Sequence, residues 1–137
     1  MPQKQGSLTQ QHNFWRLVFK HQTLRCLYSK SVVNKDDFSL DYYLPWSFVV
    51  HDQLWNLIPV LPSVNSSKSN NVPDGLYFKH FVDIQHLGLL INHEEYPRQW
   101  EKSIEPYVID LGIPKKDLLD RTILHNAYES TIKPLFR

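Results

Sequence analysis

From Leu40 to Pro73 the chain reads LDYYLPWSFVVHDQLWNLIPVLPSVNSSKSNNVP, and this stretch limits the fold more than any other. Phe38 to Leu44 is a β-prone run closed by Pro45, which has no N–H to give a central ladder. Residues 45–55 read as a loop, and 55–60, WNLIPV, as a second short extended segment. Pro62 and Ser63 then open a short polar helix over about 63–70. Ser63 is its expected N-cap, with the first-turn amides turned toward any nearby anion.

The flanks read as helices. From Leu8 to His21, the residues Phe14, Leu17, Val18 and His21 recur at spacings of three and four. Residues 24–33, LRCLYSKSVV, are short and β-prone, with Ser29-Lys30 as the turn. NVPDG at 71–75 marks a turn and the best internal boundary. Beyond it, Phe78, Phe81, Ile84, Leu87 and Ile91 give 76–91 an apolar helical face. A helix over 97–111 meets Pro106, which splits or kinks it, and Asp110-Leu-Gly-Ile-Pro reads as its stop. A last helix spans 114–132, with Pro114 in its first turn. The expected fold class is α+β: a flanking N-terminal helix, a small ββα centre over 24–73 and a helical extension over 76–137. Residues 8–137 would form one domain behind a flexible 1–7.

Composition narrows the functional classes. At 137 residues the chain is long enough for a modest core without disulfide staples. Net charge is +1, so electrostatics of the whole chain give no case for nucleic acid, and any such footprint must be local. Cys26 is the only cysteine, which excludes an internal disulfide and a multi-cysteine zinc site and fits a reducing compartment. The start, MPQKQGSLTQQ, lacks an apolar signal core, and no apolar run approaches a membrane span. The expected setting is cytoplasmic, with no membrane partner.

The order of polar residues in the central stretch suits metal-assisted phosphodiester hydrolysis. A hard divalent cation wants oxygen ligands and sits against the scissile phosphate. A neighbouring base takes a proton from the attacking water. Asp41 at a strand end and Asn65 on the short helix supply two such oxygens. Asn56 lies between them, where a carboxamide can tie the loop through backbone hydrogen bonds. Lys68 falls one helical turn after Asn65 and can meet a phosphate. Tyr42 stands beside Asp41, where a base is needed.

These residues resemble the signature of the HNH nucleases, the ββα-metal superfamily. The parts are Asp41-Tyr42-Tyr43-Leu44-Pro45, Asn56-Leu57 and Asn65-Ser66-Ser67-Lys68. Pro45-Trp46-Ser47-Phe48 and Lys68-Ser69-Asn70-Asn71-Val72-Pro73 are similar to the HNH domains of RNA-guided CRISPR nucleases. Arg25-Cys26-Leu27-Tyr28-Ser29 looks like the lead-in of many HNH proteins, including restriction-type ones. The resemblance covers about 24–73. It implies a ββα-metal centre with Asp41 and Asn65 as ligands of one divalent cation, Mg²⁺ or else Mn²⁺, and no structural zinc. It implies Asn56 as a loop brace, and Lys68 with Ser66 toward phosphate and DNA. Tyr42 occupies the family's general-base position, where a histidine is usual. An unperturbed phenol titrates at ~10 and offers little phenolate at neutral pH, so His51 is a second candidate base.

The implied activity is endonucleolytic hydrolysis of DNA in prokaryotic defence. One alternative is an inactive HNH domain that binds DNA or a partner protein in a larger assembly, such as a ribonucleoprotein. Another is an interaction domain working through the helices of 76–137. Outside the motif the plainer readings hold: His80, His86, His93 and His125 as surface or satisfied polar residues, and Cys26 as a small buried residue. Trp15, Trp46, Trp55 and Trp100 read as core, and Lys79, Arg98 and Lys102 as a solvated helix surface.

Overall fold

A computed structural model describes residues 8–45, 52–67 and 75–132, with 65–67 described by backbone alone. Helix α1 (Thr9–His21) sinks Phe14, Trp15, Leu17, Val18 and Phe19 into the core. Lys20 in its last turn places positive charge at the negative end of the helix dipole. The segment after it folds back on itself through bridges at Arg25–Val32 and Asn34–Asp37, turning at Lys30 with φ 68°.

Strands β1 (Ser39–Tyr42) and β2 (Leu57–Val60) pair antiparallel, with Asp41 opposite Ile58 and Tyr42 opposite Leu57. Pro59 is tolerated because a two-stranded sheet leaves each strand one edge outside the ladder. Every residue of β2 is buried, since α1 and α3 (Phe78–Glu95) both pack on it. Between the strands, Leu54–Asn56 form a single 3₁₀ turn. Helix α2 (Pro62–Ser67) follows β2 and packs against β1. It begins at Pro62, so Ser63 is its second residue and not the N-cap expected from the sequence. Proline's fixed φ makes it a natural first helical residue.

The second helical stretch divides, as Pro106 led one to expect, into α4 (Pro97–Ser103) and α5 (Glu105–Leu111). Gly112, at φ 68°, ends α5 in the left-handed conformation that a side chain disfavours. The last helix differs from expectation. Pro114 leads only a 3₁₀ turn, Lys115–Asp117, and α6 runs from Arg121 to Ile132. The start is set by Asp120, whose carboxylate accepts from the Ile123 N–H (3.0 Å), and that cap outweighs the proline signal.

Helix α3 also turns differently from the apolar pattern. Phe81 is fully buried, but Phe78, Ile84, Leu87 and Ile91 are only half-buried. The deepest row adds Val82, Gln85, Gly88, Leu89 and Asn92. Two amides lie in this row because each serves a buried carbonyl. Asn92 Nδ2 donates to Phe14 O (3.2 Å) and Gly88 O (2.9 Å). Gly88 permits the close crossing of α1, since a Cβ there would stand 2.8 Å from the Phe14 ring. Tyr43 stacks on Phe81 with ring centroids 4.0 Å apart, joining the sheet to α3. The result is an α+β fold with one two-stranded antiparallel sheet and mostly helices among the described residues.

Candidate active site

Asp41 comes from the buried middle of β1, and its residue is only 5% exposed. Its carboxylate is near enough to act on Tyr28. Burial first, and the Asp41 charge second, push the Tyr28 phenol well above its ordinary range. Tyr42, one residue on, points to the other side of the strand and is half-buried. Its hydroxyl donates a short hydrogen bond to Oδ1 of Asp52. Asp52 is held in turn by α1, because Gln11 Nε2 donates to its carbonyl (3.1 Å). Tyr42 therefore carries a carboxylate partner ten residues away.

Asn56 bonds to the backbone where the chain leaves β1. It is fully buried, and Leu44 N–H donates to its Oδ1 (2.9 Å) while its Nδ2 donates to the Leu44 carbonyl (3.1 Å). Its own carbonyl accepts from Tyr43 N–H (2.9 Å). These bonds close the two ends of the loop that leaves β1 and returns to β2. A second amide supports the return. Gln85 Nε2, fully buried, donates to Leu54 O (3.1 Å) and Leu57 O (2.9 Å), and its Oε1 accepts a short bond from Tyr107. Tyr128 Oη donates to Trp55 O (2.6 Å), and Trp55 Nε1 donates to Asp110 Oδ2 (2.8 Å). The helices of 76–132 thus grip the Leu54–Leu57 backbone that carries Asn56.

Asn65 and Ser66 lie on α2, which packs on the strand of Asp41. His51, Lys68, Trp46, most of the 71–75 turn and the first seven residues lie outside the described residues. Among the described residues no group of three or more His, Cys, Asp or Glu side chains gathers as a metal cage.

Cys26 is buried, as expected, but not inert in its bonding. Burial raises its thiol, yet hydrogen bonds from the Ser29 side chain and from the Ser29, Leu61 and Tyr28 backbone outweigh this and hold it below the ordinary value. That network ties the Arg25–Val32 turn to the start of α2. Of the histidines, His86 bonds the Leu119 carbonyl (2.8 Å), while His80 and His93 are exposed. His125 departs from expectation: it lies edge-on to Phe78, and its Nδ1 is buried with no hydrogen-bond partner. Trp15, Trp55 and Trp100 are core residues, and Lys79, Arg98 and Lys102 are exposed, as read from the sequence.

Residues 26–74 match the model of a family described as HNH endonuclease. The chain carries an HNH-family domain. The matched segment takes in Cys26, both strands, α2 and each of Asp41, Asn56 and Asn65. Helices α1 and α3–α6 lie outside it. No curated protein and no solved structure matches the chain to the same standard. The HNH family points to nuclease action on nucleic acid. No helix among the described residues is long and apolar enough to cross a membrane.

Sequence reasoning missed Asp52, Gln11 and Gln85. Only Gln85 left a signal, a polar residue on the apolar face of α3. Asp52 sits in a loop, where no periodicity marks it.

Proposed function

We propose that this chain is a metal-dependent HNH endonuclease that hydrolyses DNA phosphodiester bonds, with a Tyr42–Asp52 pair in place of the usual histidine base. The hydrogen bond from Tyr42 to Asp52, one residue from Asp41, carries the reading. A phenol that donates to a carboxylate gains electron density on its oxygen and becomes a better acceptor for a second proton.

In the proposed step a water oxygen attacks phosphorus and loses a proton to the Tyr42 oxygen. The Tyr42 proton passes to Asp52, the new P–O bond forms, and the opposite P–O bond breaks. The leaving alkoxide is protonated by solvent, and Asp52 returns its proton to solvent. Asp41 and Asn65 would hold one divalent cation, Mg²⁺ or Mn²⁺, whose chemistry is to stabilise charge on the leaving oxygen. Lys68 and Ser66 would contact phosphate. Asn56 and Gln85 act on the site by positioning the loop. We take the setting to be prokaryotic defence in the cytoplasm, on the motif resemblance.

Supercoiled-plasmid nicking in Mg²⁺ and Mn²⁺ tests this, comparing the wild type with Asp41→Ala, Asp52→Asn and Tyr42→His. The expected result is nicking by the wild type, none by Asp41→Ala, and a loss of roughly 10²–10⁴-fold in Asp52→Asn, the scale of a lost proton transfer. Asn still accepts the Tyr42 hydrogen bond but cannot take the proton, so wild-type rates in this variant would refute the pair. Cutting by Tyr42→His alone would make the native chain a silenced HNH domain that binds DNA without hydrolysing it.

A further inference from the structure

A cleft of about 510 Å³ opens between α1 and the junction of α3 with α4, outside the HNH-matched segment. Gln10, Asn13, Arg16 and Lys20 line it from α1, and Tyr96 and Gln99 from the junction. Among the described residues no Asp or Glu lines it. The chain as a whole balances 15 Lys and Arg against 14 Asp and Glu, so a lining with two cations and no acid is a local segregation of charge. Helix α1 contains no carboxylate at all. Arg16 and Lys20 form a ridge, and on its other side Asp36 and Asp37 line the neighbouring cleft; on this side the nearest acid, Glu95, is paired with His21 (3.6 Å).

Tyr96 is more than half exposed, unlike the buried aromatics that make up the core. Its backbone is pinned, since its N–H donates to Asn92 O (2.9 Å) and its carbonyl accepts from Trp100 N–H (2.8 Å). The ring is therefore a solvent-facing platform on a fixed mount. Arg16 is oriented by its bond to Asn13 Oδ1 (3.1 Å).

We propose that this cleft binds a single strand of nucleic acid, with phosphates on Arg16 and Lys20 and a base stacked on Tyr96. Cations along a backbone, an exposed aromatic and nearby amides are the recurring parts of single-strand grooves, and Asn and Gln amides match base edges. A duplex is read by convex elements entering its groove, whereas a concave cleft takes in an unstacked strand. The cleft and the candidate catalytic loop share α1, because Gln11 on this helix holds the Asp52 backbone. The proposal extends the nuclease reading by naming an unpaired flank as part of the substrate, yet it is measured without cutting.

The experiment is fluorescence anisotropy of a labelled 15-nucleotide DNA strand, and of its blunt duplex, with the full chain in EDTA across a salt series. The wild type should prefer the single strand. Arg16→Glu combined with Lys20→Glu should lower the salt slope by about 1.4, at roughly 0.7 per phosphate contact. Tyr96→Ala should weaken binding by roughly 5- to 150-fold, the range for one stacked base. Thermal melting checks that these surface variants fold. Failure of the wild type to bind the strand, or variants that bind like it, overturns the proposal. Equal binding of a polyglutamate peptide also overturns it, since the cleft would then be a charge patch alone. Strand binding by a wild type that cannot nick plasmid would sink the nuclease reading and leave this one standing.

Discussion

Replacing Asn56 with alanine should unlock the loop between β1 and β2. The side chain makes two hydrogen bonds to one residue, Leu44, whose N–H and carbonyl have this amide as their partner. Both residues are buried, Asn56 fully and Leu44 to within 1%, so solvent cannot stand in. Leaving a buried backbone group without a partner costs about 1–3 kcal/mol. Two such groups give about 2–6 kcal/mol, a large part of the 5–15 kcal/mol typical of a domain. For a chain of this length the midpoint should fall by roughly 14 °C, taking a mid-range loss of about 4 kcal/mol and about 3–4 °C per kcal/mol. Thermal and urea unfolding followed by circular dichroism would measure it. Asn56→Asp conserves volume and keeps one acceptor, but it turns an anionic oxygen toward the Leu44 carbonyl. It should be at least as destabilising as alanine. A loss under about 1 kcal/mol in Asn56→Ala, or a native-like Asn56→Asp, would refute the claim that these two bonds hold the loop.

Gln85→Leu removes three buried bonds and leaves the Leu57 carbonyl and the Tyr107 hydroxyl unmatched, while the Leu54 carbonyl keeps the Leu57 N–H. Urea denaturation should show a loss of at least about 2 kcal/mol despite the apolar replacement. Gly88→Ala improves helix propensity by about 1 kcal/mol but drives a methyl to 2.8 Å from Phe14 and 3.0 Å from Trp15. Overpacking of about 1–3 kcal/mol should win, and a raised melting temperature would contradict that crossing. Burial raises the Tyr107 and Tyr128 phenols well above their ordinary value. The folded chain therefore holds protons that the unfolded chain releases above about pH 10. Stability is intact below that pH and falls as pH rises, by about 1.4 kcal/mol per unit for each phenol. Melting temperatures that stay flat from pH 9 to 11.5 would count against this.

The order of strand, strand and short helix was legible because each piece is local: a β-prone run, a closing proline, a polar turn of helix. The bracing role of Asn56 was legible too, through its fixed place in a motif. The break at Pro106 and the stop at Gly112 followed from backbone chemistry that a single residue dictates. Other boundaries were set by competition. Pro114 signalled a helix start, but Asp120 made the stronger cap, and α6 begins at Arg121.

What tertiary structure decided is which distant groups meet. Periodicity gave α3 an apolar face, yet its deepest row includes Gln85 and Asn92, because carbonyls of Leu54, Leu57 and Phe14 arrive there from elsewhere in the chain. The sequence placed Tyr42 beside Asp41 but could not show Asp52 against it. That partner depends on where the chain lies at Asp52, whose backbone Gln11 holds, next to the Leu54–Leu57 backbone held by Gln85 and Tyr128. The chain by itself determined its local elements and the identity of the polar residues near Asp41. Only packing brought a phenol and a carboxylate ten residues apart into one hydrogen bond, since no repeating pattern encodes where a loop returns.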